Sequence, residues 1–429
     1  MFSTDIPQEK ALVIHPILPK GEKDEDYLAE RLEEAAGLAR AISLEVLDVY
    51  SVNISKISPA NLLSKGTIEN IAKQVDELKP DVVIVDGTLS PVQQRNLETK
   101  FNAKVIDRTG LILEIFGERA QTKEGRIQVD LALLEYQRSR LVRAWTHLER
   151  QRGSTGFVGG PGETQIELDR RMIGEKITKL KKELKEVRRT RGLAQSKREK
   201  VPFPVVALVG YTNAGKSTLF NKLTGANVFA EDLPFATLDP TMRKLQLKSG
   251  QDIILSDTVG FISDLPTHLV EAFQATLEQV VEADIILHVR DVSRADHQRQ
   301  ADDVIEILES LGVEYETDHR ILEVWNKIDQ CDEEDLSEIR RKAKFNEQIC
   351  AISAITGEGI EQLFERINEI LSYGHIETEI ALPVTDGQNL AWLYQNAEVL
   401  SREDNEHEVN LNVLISDSNF EKYKQRQKK

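Results

Sequence analysis

Two cysteines, Cys331 and Cys350, are all that the 429 residues contain, and their separation matches no ligand spacing. So few thiols exclude a disulfide scaffold and a cysteine-based metal site, and they suit a reducing compartment. Proline is scarce as well, at 13 residues, while 40% of the chain is apolar; together these exclude a disordered, proline-rich class and imply a folded globular protein. No apolar run reaches the roughly 20 residues that a bilayer crossing requires, and Met1 to Lys10 lacks the apolar centre of a signal peptide. The expectation is a soluble, cytoplasmic protein of about two to four domains.

Positive charge is also in deficit overall. A net charge of −17 ordinarily argues against a nucleic-acid partner, yet the deficit is uneven. Between Arg138 and Lys200 there are 18 Lys and Arg against 8 Asp and Glu, a local charge of +10. A basic segment within an acidic chain fits a localised RNA contact, with the acidic remainder limiting non-specific binding. It fits equally a solvated helical hairpin whose lysines face water.

What is present is clearest from Val205 to Leu219. The apolar strand Val205–Val209 runs into Gly210, Tyr211, Thr212, Asn213, Ala214, Gly215, Lys216, Ser217 and Thr218. The spacing Gly-x4-Gly-Lys-Ser brings backbone N–H groups to the β- and γ-phosphates of a nucleotide, with Lys216 as the cation and Ser217 as an oxygen for Mg²⁺. A helix beginning at Lys216 adds its positive dipole end. A glycine turn before a helix would give the same spacing, so the residues downstream decide.

Asp257, Thr258, Val259 and Gly260 follow a second strand, where Asp257 can hold Mg²⁺ through water and Gly260 can offer its N–H to a γ-phosphate. Asn326, Lys327, Ile328 and Asp329 follow a third strand, and Asp329 can accept the N1 and N2 protons that guanine has and adenine lacks. Ser353 and Ala354 follow a fourth, with backbone N–H groups for the guanine O6. Each could cap or turn a chain; in this order, each after a strand, they are a specific signal for a GTPase, and they resemble the translation-factor-like GTPases. The loop from Phe229 to Thr241 is then the first switch, with Thr237 the expected second Mg²⁺ hydroxyl and Thr241 the fallback. Lys216, Thr237 and Gly260 are the expected catalytic set.

The residue after Gly260 is Phe261, where many GTPases carry a glutamine that orients the attacking water. A phenyl ring cannot, so hydrolysis needs something more. A partner that reshapes the second switch is the favoured source; K⁺ held by Asn213 is the other, against a plain loop asparagine.

The expected architecture is α/β: a P-loop GTPase domain with a doubly wound sheet (201–373), preceded by a small α/β domain (1–117) and a long helical hairpin (118–200), and followed by a small α+β appendage (374–429). In the first domain Ala11–His15, Leu44–Val52 and Val82–Asp86 read as strands, and Tyr27–Ala41, Asn61–Leu78 and Ser90–Phe101 as helices. Asp86, Asp107 and Arg108 lie near its strand ends, where a structural salt bridge is their expected role. The hairpin has two heptad-like seams, Leu134, Leu141 and Leu148 beside Leu131 and Trp145, then Ile166, Ile173, Leu180 and Val187 beside Ile177 and Leu184. Between them lies a loop with glycine at 153, 156, 159, 160 and 162. It is longer than the roughly 2–8 residues of an ordinary helix–helix turn. It reads either as a flexible connector or as a tip whose bare backbone can approach phosphates or bases. The charged segment Arg188–Lys200, before Pro202 and Pro204, reads as a linker.

These residues resemble the HflX-type ribosome-associated GTPases. The likeness includes Leu89, Ser90, Pro91, Gln94, Arg95 and Asn96; Asp107, Arg108 and Thr109; Ile115, Phe116, Arg119 and Ala120; Arg140, Leu141, Trp145 and Leu148; Arg152, Gly153, and Gly159 to Thr164; and Phe235 to Pro240 with Phe261. It covers about residues 10–375. The resemblance implies a Mg²⁺-dependent GTPase, here expected to be monomeric, that binds and is stimulated by the large ribosomal subunit and separates stalled ribosomes, particularly under stress. It implies that the hairpin loop, with Arg150, Arg152, Gly153, Gly156, Gly159, Gly160 and Gly162, reaches rRNA near the peptidyl-transferase centre. A second reading is a GTP-gated factor that only blocks subunit association, with hydrolysis resetting it. Near Leu63–Glu69 the chain keeps one Lys-Gly pair and lacks the second of the family's glycine- and lysine-rich turn, which weakens any carry-over of the ATP-related activity linked to that domain.

Overall fold

The computed structural model describes residues 8–19, 24–151, 161–198, 203–226, 233–237, 241–263, 280–372, 375–405, 407–416 and 420, 423, 424, 426 and 427. Among them no helix is long and apolar enough to cross a membrane.

The first sheet is wholly parallel, in the order β2-β1-β3-β4, from β1 (Lys10–Ile17), β2 (Glu45–Asn53), β3 (Val82–Val85) and β4 (Lys104–Asp107). Its helices are α1 (Glu25–Ala41), α2 (Lys65–Leu78), α3 (Pro91–Phe101) and α4 (Arg108–Arg119). Strands β1 and β3 are apolar along almost every residue, as a parallel strand covered on both faces must be. Ser90 starts α3 with a capping box to Gln93, and Pro91 occupies the first turn, where its missing N–H is harmless. The order reverses at β1, so its topological switch point lies between β1 and β3, where His15 and Asp86 stand. Strand β4 and helix α4 are absent from the sequence reading, and α2 begins at Lys65 rather than Asn61.

The hairpin is α5 (Lys123–Gln151) packed on α6 (Pro161–Arg198). Ile127, Leu131, Ile177 and Leu184 form its buried seam, flanked by Leu134, Ile173, Leu180 and Val187. Helix α6 runs through Arg198, so the segment expected to be a linker from Arg188 is helical up to that residue. Lys, Arg, Leu, Ala and Gln are good helix formers, and a charged stretch without proline need not break a helix; the lone Gly192 does not do so here. Arg150 lies in α5 and Gly162 in α6; Arg152, Gly153, Gly156, Gly159 and Gly160 lie outside the described residues.

The second sheet has six strands in the order β10-β9-β8-β5-β7-β6. All neighbours are parallel except β6 (Thr241–Gln246), an antiparallel edge against β7 (Asp252–Asp257). The parallel strands are β5 (Val205–Val209), β7, β8 (Ile285–Asp291), β9 (Ile321–Asn326) and β10 (Ile349–Ala351). Among the described residues, helices α7 (Lys216–Thr224), α8 (His297–Ser310), α9 (Glu333–Phe345) and α10 (Ile360–Ser372) belong to this layer. A small antiparallel sheet, β11-β13-β12 (His375–Pro383, Glu408–Ser416 and Glu398–Asp404), with α11 (Gly387–Asn396) follows.

The two α/β layers share one apolar core. Leu111, Ile112 and Phe116 of α4 belong to the same cluster as Tyr211, Phe235, Phe261 and Ile262. Phe116 and Phe235 meet edge to face at 4.7 Å and 82°.

Candidate functional site

The carboxyl ends of β5, β7, β9 and β10 converge, the place where open α/β sheets bind ligands. Gly210 follows β5 with φ +148°, and a Cβ there would lie 2.1 Å from the Val289 carbonyl oxygen. Gly215 has φ +91°, and its Cβ would lie 2.3 Å from Asn326 Nδ2. Only glycine lets the loop pass between these neighbours. Gly215 also starts α7 without a side-chain cap, which leaves the helix's positive end to an anion. Lys216 is buried beneath the loop and donates from Nζ to the carbonyls of Gly210 (3.0 Å) and Tyr211 (2.6 Å). Burial lowers its ammonium to about 8, against the pull of Asp257.

Three oxygens from three segments meet beside Lys216. Ser217 Oγ donates to Asp257 Oδ2 at 2.7 Å, Thr237 Oγ1 lies 3.1 Å from the same oxygen, and the two hydroxyls are 2.8 Å apart. Asp257 Oδ1 is buried with no partner. Burial raises the Asp257 carboxyl, opposed by Ser217, Lys216 and Thr237. Two hydroxyls, a carboxylate and one unused buried oxygen are a donor set suited to Mg²⁺. Thr237, rather than Thr241, stands in this cluster; Thr241 begins β6 in register with Asp257.

At the other end of the cleft Asn326 is a brace. Its Nδ2 donates to Ala214 O at 2.9 Å and its Oδ1 accepts from Ala354 N–H at 3.0 Å, tying the phosphate loop to the segment after β10. Ser353 N–H donates to Glu358 O. The backbone donors expected for a guanine oxygen thus have protein partners here. Lys327 has φ +65° and pairs with Asp291 at 2.8 Å, and Asp329 is exposed in the short 3-10 turn Ile328–Gln330. Sequence reasoning missed Asp291 and Ile355. The latter is a large apolar side chain 64% exposed directly after Ala354; its place after the Ser-Ala pair is the available signal.

Thr212, Asn213, Thr218 and Gly260 line the phosphate cleft, with Asn213 exposed at φ +62°. The Phe261 ring does not line it: Phe261 is buried in the shared core. A Cβ on Gly260 would lie 3.0 Å from Lys216 Nζ and Thr212 Cα, so the second switch begins closely packed on the phosphate loop.

Consecutive parts of the chain match four family profiles. Residues 29–117 match the N-terminal region and 119–198 the middle region of GTP-binding GTPases, 205–327 match a 50S ribosome-binding GTPase, and 338–428 match an HflX C-terminal domain. A relative from Magnetococcus marinus, named GTPase HflX, is 48% identical over 97% of this chain and 94% of its own. The Escherichia coli K12 protein of the same name is 40% identical over 92% and 90%. The crystal structure of SsGBP with GDP shares the fold at a TM-score of 0.50 and 23% identity, covering 85% of this chain and 99% of that one. A phosphate loop, a Mg²⁺-type oxygen cluster and an Asn326 brace, within a chain aligned almost end to end with such relatives, place the protein in the HflX family of GTPases.

Proposed function

We propose that this GTPase binds the large ribosomal subunit and uses its GTP-bound state to split or rescue ribosomes in the cytoplasm, acting as a monomer. The observation that carries the reading is the hairpin. Helices of 29 and 38 residues meet at the glycine-rich segment, and the longer one spans about 57 Å at 1.5 Å per residue. A basic element of that reach suits an RNA cavity more than a protein surface. The profile over residues 205–327, described as a 50S ribosome-binding GTPase, supports the same partner.

Within the nucleotide site, Lys216 and the backbone of Gly210–Gly215 would cradle the β- and γ-phosphates, and Ser217, Thr237 and Asp257 would hold Mg²⁺. That ion, when bound, neutralises the charge that develops between the phosphates. Asp329 would select guanine, with Asn326 keeping its segment fixed on the loop. Thr237 comes from the first switch and would report the γ-phosphate, as would Gly260 from the second. No glutamine follows Gly260, so a bound partner would complete the alignment of water; K⁺ held by Asn213 is the alternative supply.

GTP turnover measured alone in K⁺ or Na⁺ buffer, and then with large subunits, tests this. Strong stimulation by subunits, lost when residues 153–162 are shortened, is expected. Fast turnover in K⁺ alone, with no response to subunits, overturns it. Splitting driven by a non-hydrolysable GTP analogue would leave hydrolysis the resetting role.

A further inference from the structure

The switch point of the N-terminal sheet holds a buried charge cluster. Asp86 Oδ2 lies 2.8 Å from His15 Nδ1, and its Oδ1 accepts from Arg108 at 2.6 Å. Burial alone would raise the Asp86 carboxyl, but Arg108, His15 and Arg31 hold it well below the usual range. Arg108 also donates to Glu34 Oε1 at 2.5 Å and to the Ser263 carbonyl at 3.1 Å. Ser263 belongs to the other domain, three residues after Gly260. Its N–H donates to the Tyr211 hydroxyl at 2.8 Å, and that hydroxyl donates to Glu34. Arg31 donates to Ser263 Oγ. A crevice that in such sheets takes a ligand is thus filled by the start of the second switch and the second residue of the phosphate loop.

The residue before Arg108 holds the hairpin. Asp107 Oδ1 accepts from Gly110 N–H at 2.9 Å and from Tyr136 Oη at 2.6 Å, and Oδ2 accepts from Leu89 N–H at 3.1 Å and from Arg140 at 2.7 Å. Tyr136 and Arg140 stand one turn apart on α5, with the guanidinium 4.2 Å from the Tyr136 ring centroid. A side chain on Gly110 would sit 3.1 Å from Tyr136 Oη, so its absence leaves that hydroxyl room. All four acceptor directions of this carboxylate are used, and two come from the hairpin.

We propose that Asp107 and Arg108 form one coupling element: Arg108 is a positioning residue that holds Ser263, and through it Gly260 and Phe261, against the phosphate loop, while Asp107 holds the root of the hairpin. The peptide plane between them is rigid, so a load that tilts α5 moves Arg108 relative to Ser263. Hydrogen bonds to buried charged groups are costly to lose, so a displacement of Arg108 would be felt at Ser263. Whatever the hairpin binds is therefore read at the second switch; that the load comes from the ribosome rests on the function proposed above.

The test is a double-mutant cycle in the full chain. Arg140→Ala and Arg108→Lys, which keeps the charge beside Asp86 but loses the guanidinium bond to the Ser263 carbonyl, are made singly and together, and the ratio of affinities for a non-hydrolysable GTP analogue and GDP is measured without ribosomes, with kcat and KM alongside. Coupling predicts that the double variant departs from the product of the single effects by about three-fold or more, and that Arg140→Lys restores part of it. Multiplying effects overturn the proposal. With large subunits added, the wild type should gain about ten-fold in analogue affinity and either variant less than about three-fold. A wild type indifferent to subunits would sink the ribosomal reading, while the cycle would still decide the coupling.

Discussion

Phe261 and Tyr211 form a parallel β-bridge: Phe261 N–H donates to Gly210 O at 3.1 Å, and Phe261 O accepts from Thr212 N–H at 2.6 Å. The residue in the position of a water-orienting glutamine is thus bound by its backbone to the phosphate loop, with its ring in the core. Phe261→Gln should not raise intrinsic GTP turnover, because the amide would enter apolar surroundings and not the cleft. It should destabilise the protein by about 1–3 kcal/mol, the cost of an unpaired buried polar group. Single-turnover hydrolysis with thermal unfolding checks both; a turnover gain of ten-fold would show that the side chain reaches the water.

Gly215→Ala should be more damaging than Gly225→Ala, although both residues have positive φ. A Cβ at 215 meets Asn326 Nδ2 at 2.3 Å, whereas none lies within 4 Å at 225. The backbone strain, about 1–3 kcal/mol, is common to both; displacing Asn326 is specific to the first. Calorimetric binding of GDP should show loss at 215 and near wild-type affinity at 225.

Ser217 and Thr237 both touch Asp257 Oδ2, yet they sit on unlike parts of the chain, one in α7 and one in the first switch. Thr237→Ala should lower GTP turnover by about 10²-fold with little change in GDP affinity. Ser217→Ala should weaken both nucleotides in Mg²⁺ buffer. Equal losses of GDP binding would remove the distinction between a fixed and a switch-borne hydroxyl.

Glu30 of α1 approaches the loop before α8, where Arg294 stands 3.8 Å away. Burial, and then Asp296, push its carboxyl up to about 7, with Arg294 pulling the other way. A raised carboxyl binds a proton in the folded state before it would in the unfolded chain. Its contribution is therefore greatest at low pH and is lost as pH rises from about 4.5 to 7. The stability of the wild type relative to Glu30→Gln should fall across that window and level off above it. Denaturant unfolding at pH 5, 6, 7 and 8 measures the trend; a pH-independent difference would contradict it.

The sequence by itself determined the candidate nucleotide motifs, wherever the pattern is local. The glycine spacing of the phosphate loop, Asp257 with Gly260 and the Asn326–Asp329 run each lie within a few residues, because each rides on one strand end. The hairpin seam was legible for the same reason, since a helix repeats its contacts every three or four residues. Strand β4, four residues long, was too short for periodicity to register, and the charged end of α6 read as linker because helix formers without apolar spacing carry no pattern.

Only the tertiary structure turned Phe261 into the core and gathered His15, Arg31, Glu34, Asp86, Arg108, Tyr211 and Ser263 into one cluster. The first and last of those residues, 15 and 263, lie 248 positions apart. Nothing in their spacing marks them, because ion pairs and hydrogen bonds across a domain interface depend on where two sheets meet, and that is set by the shape of the packed core between them.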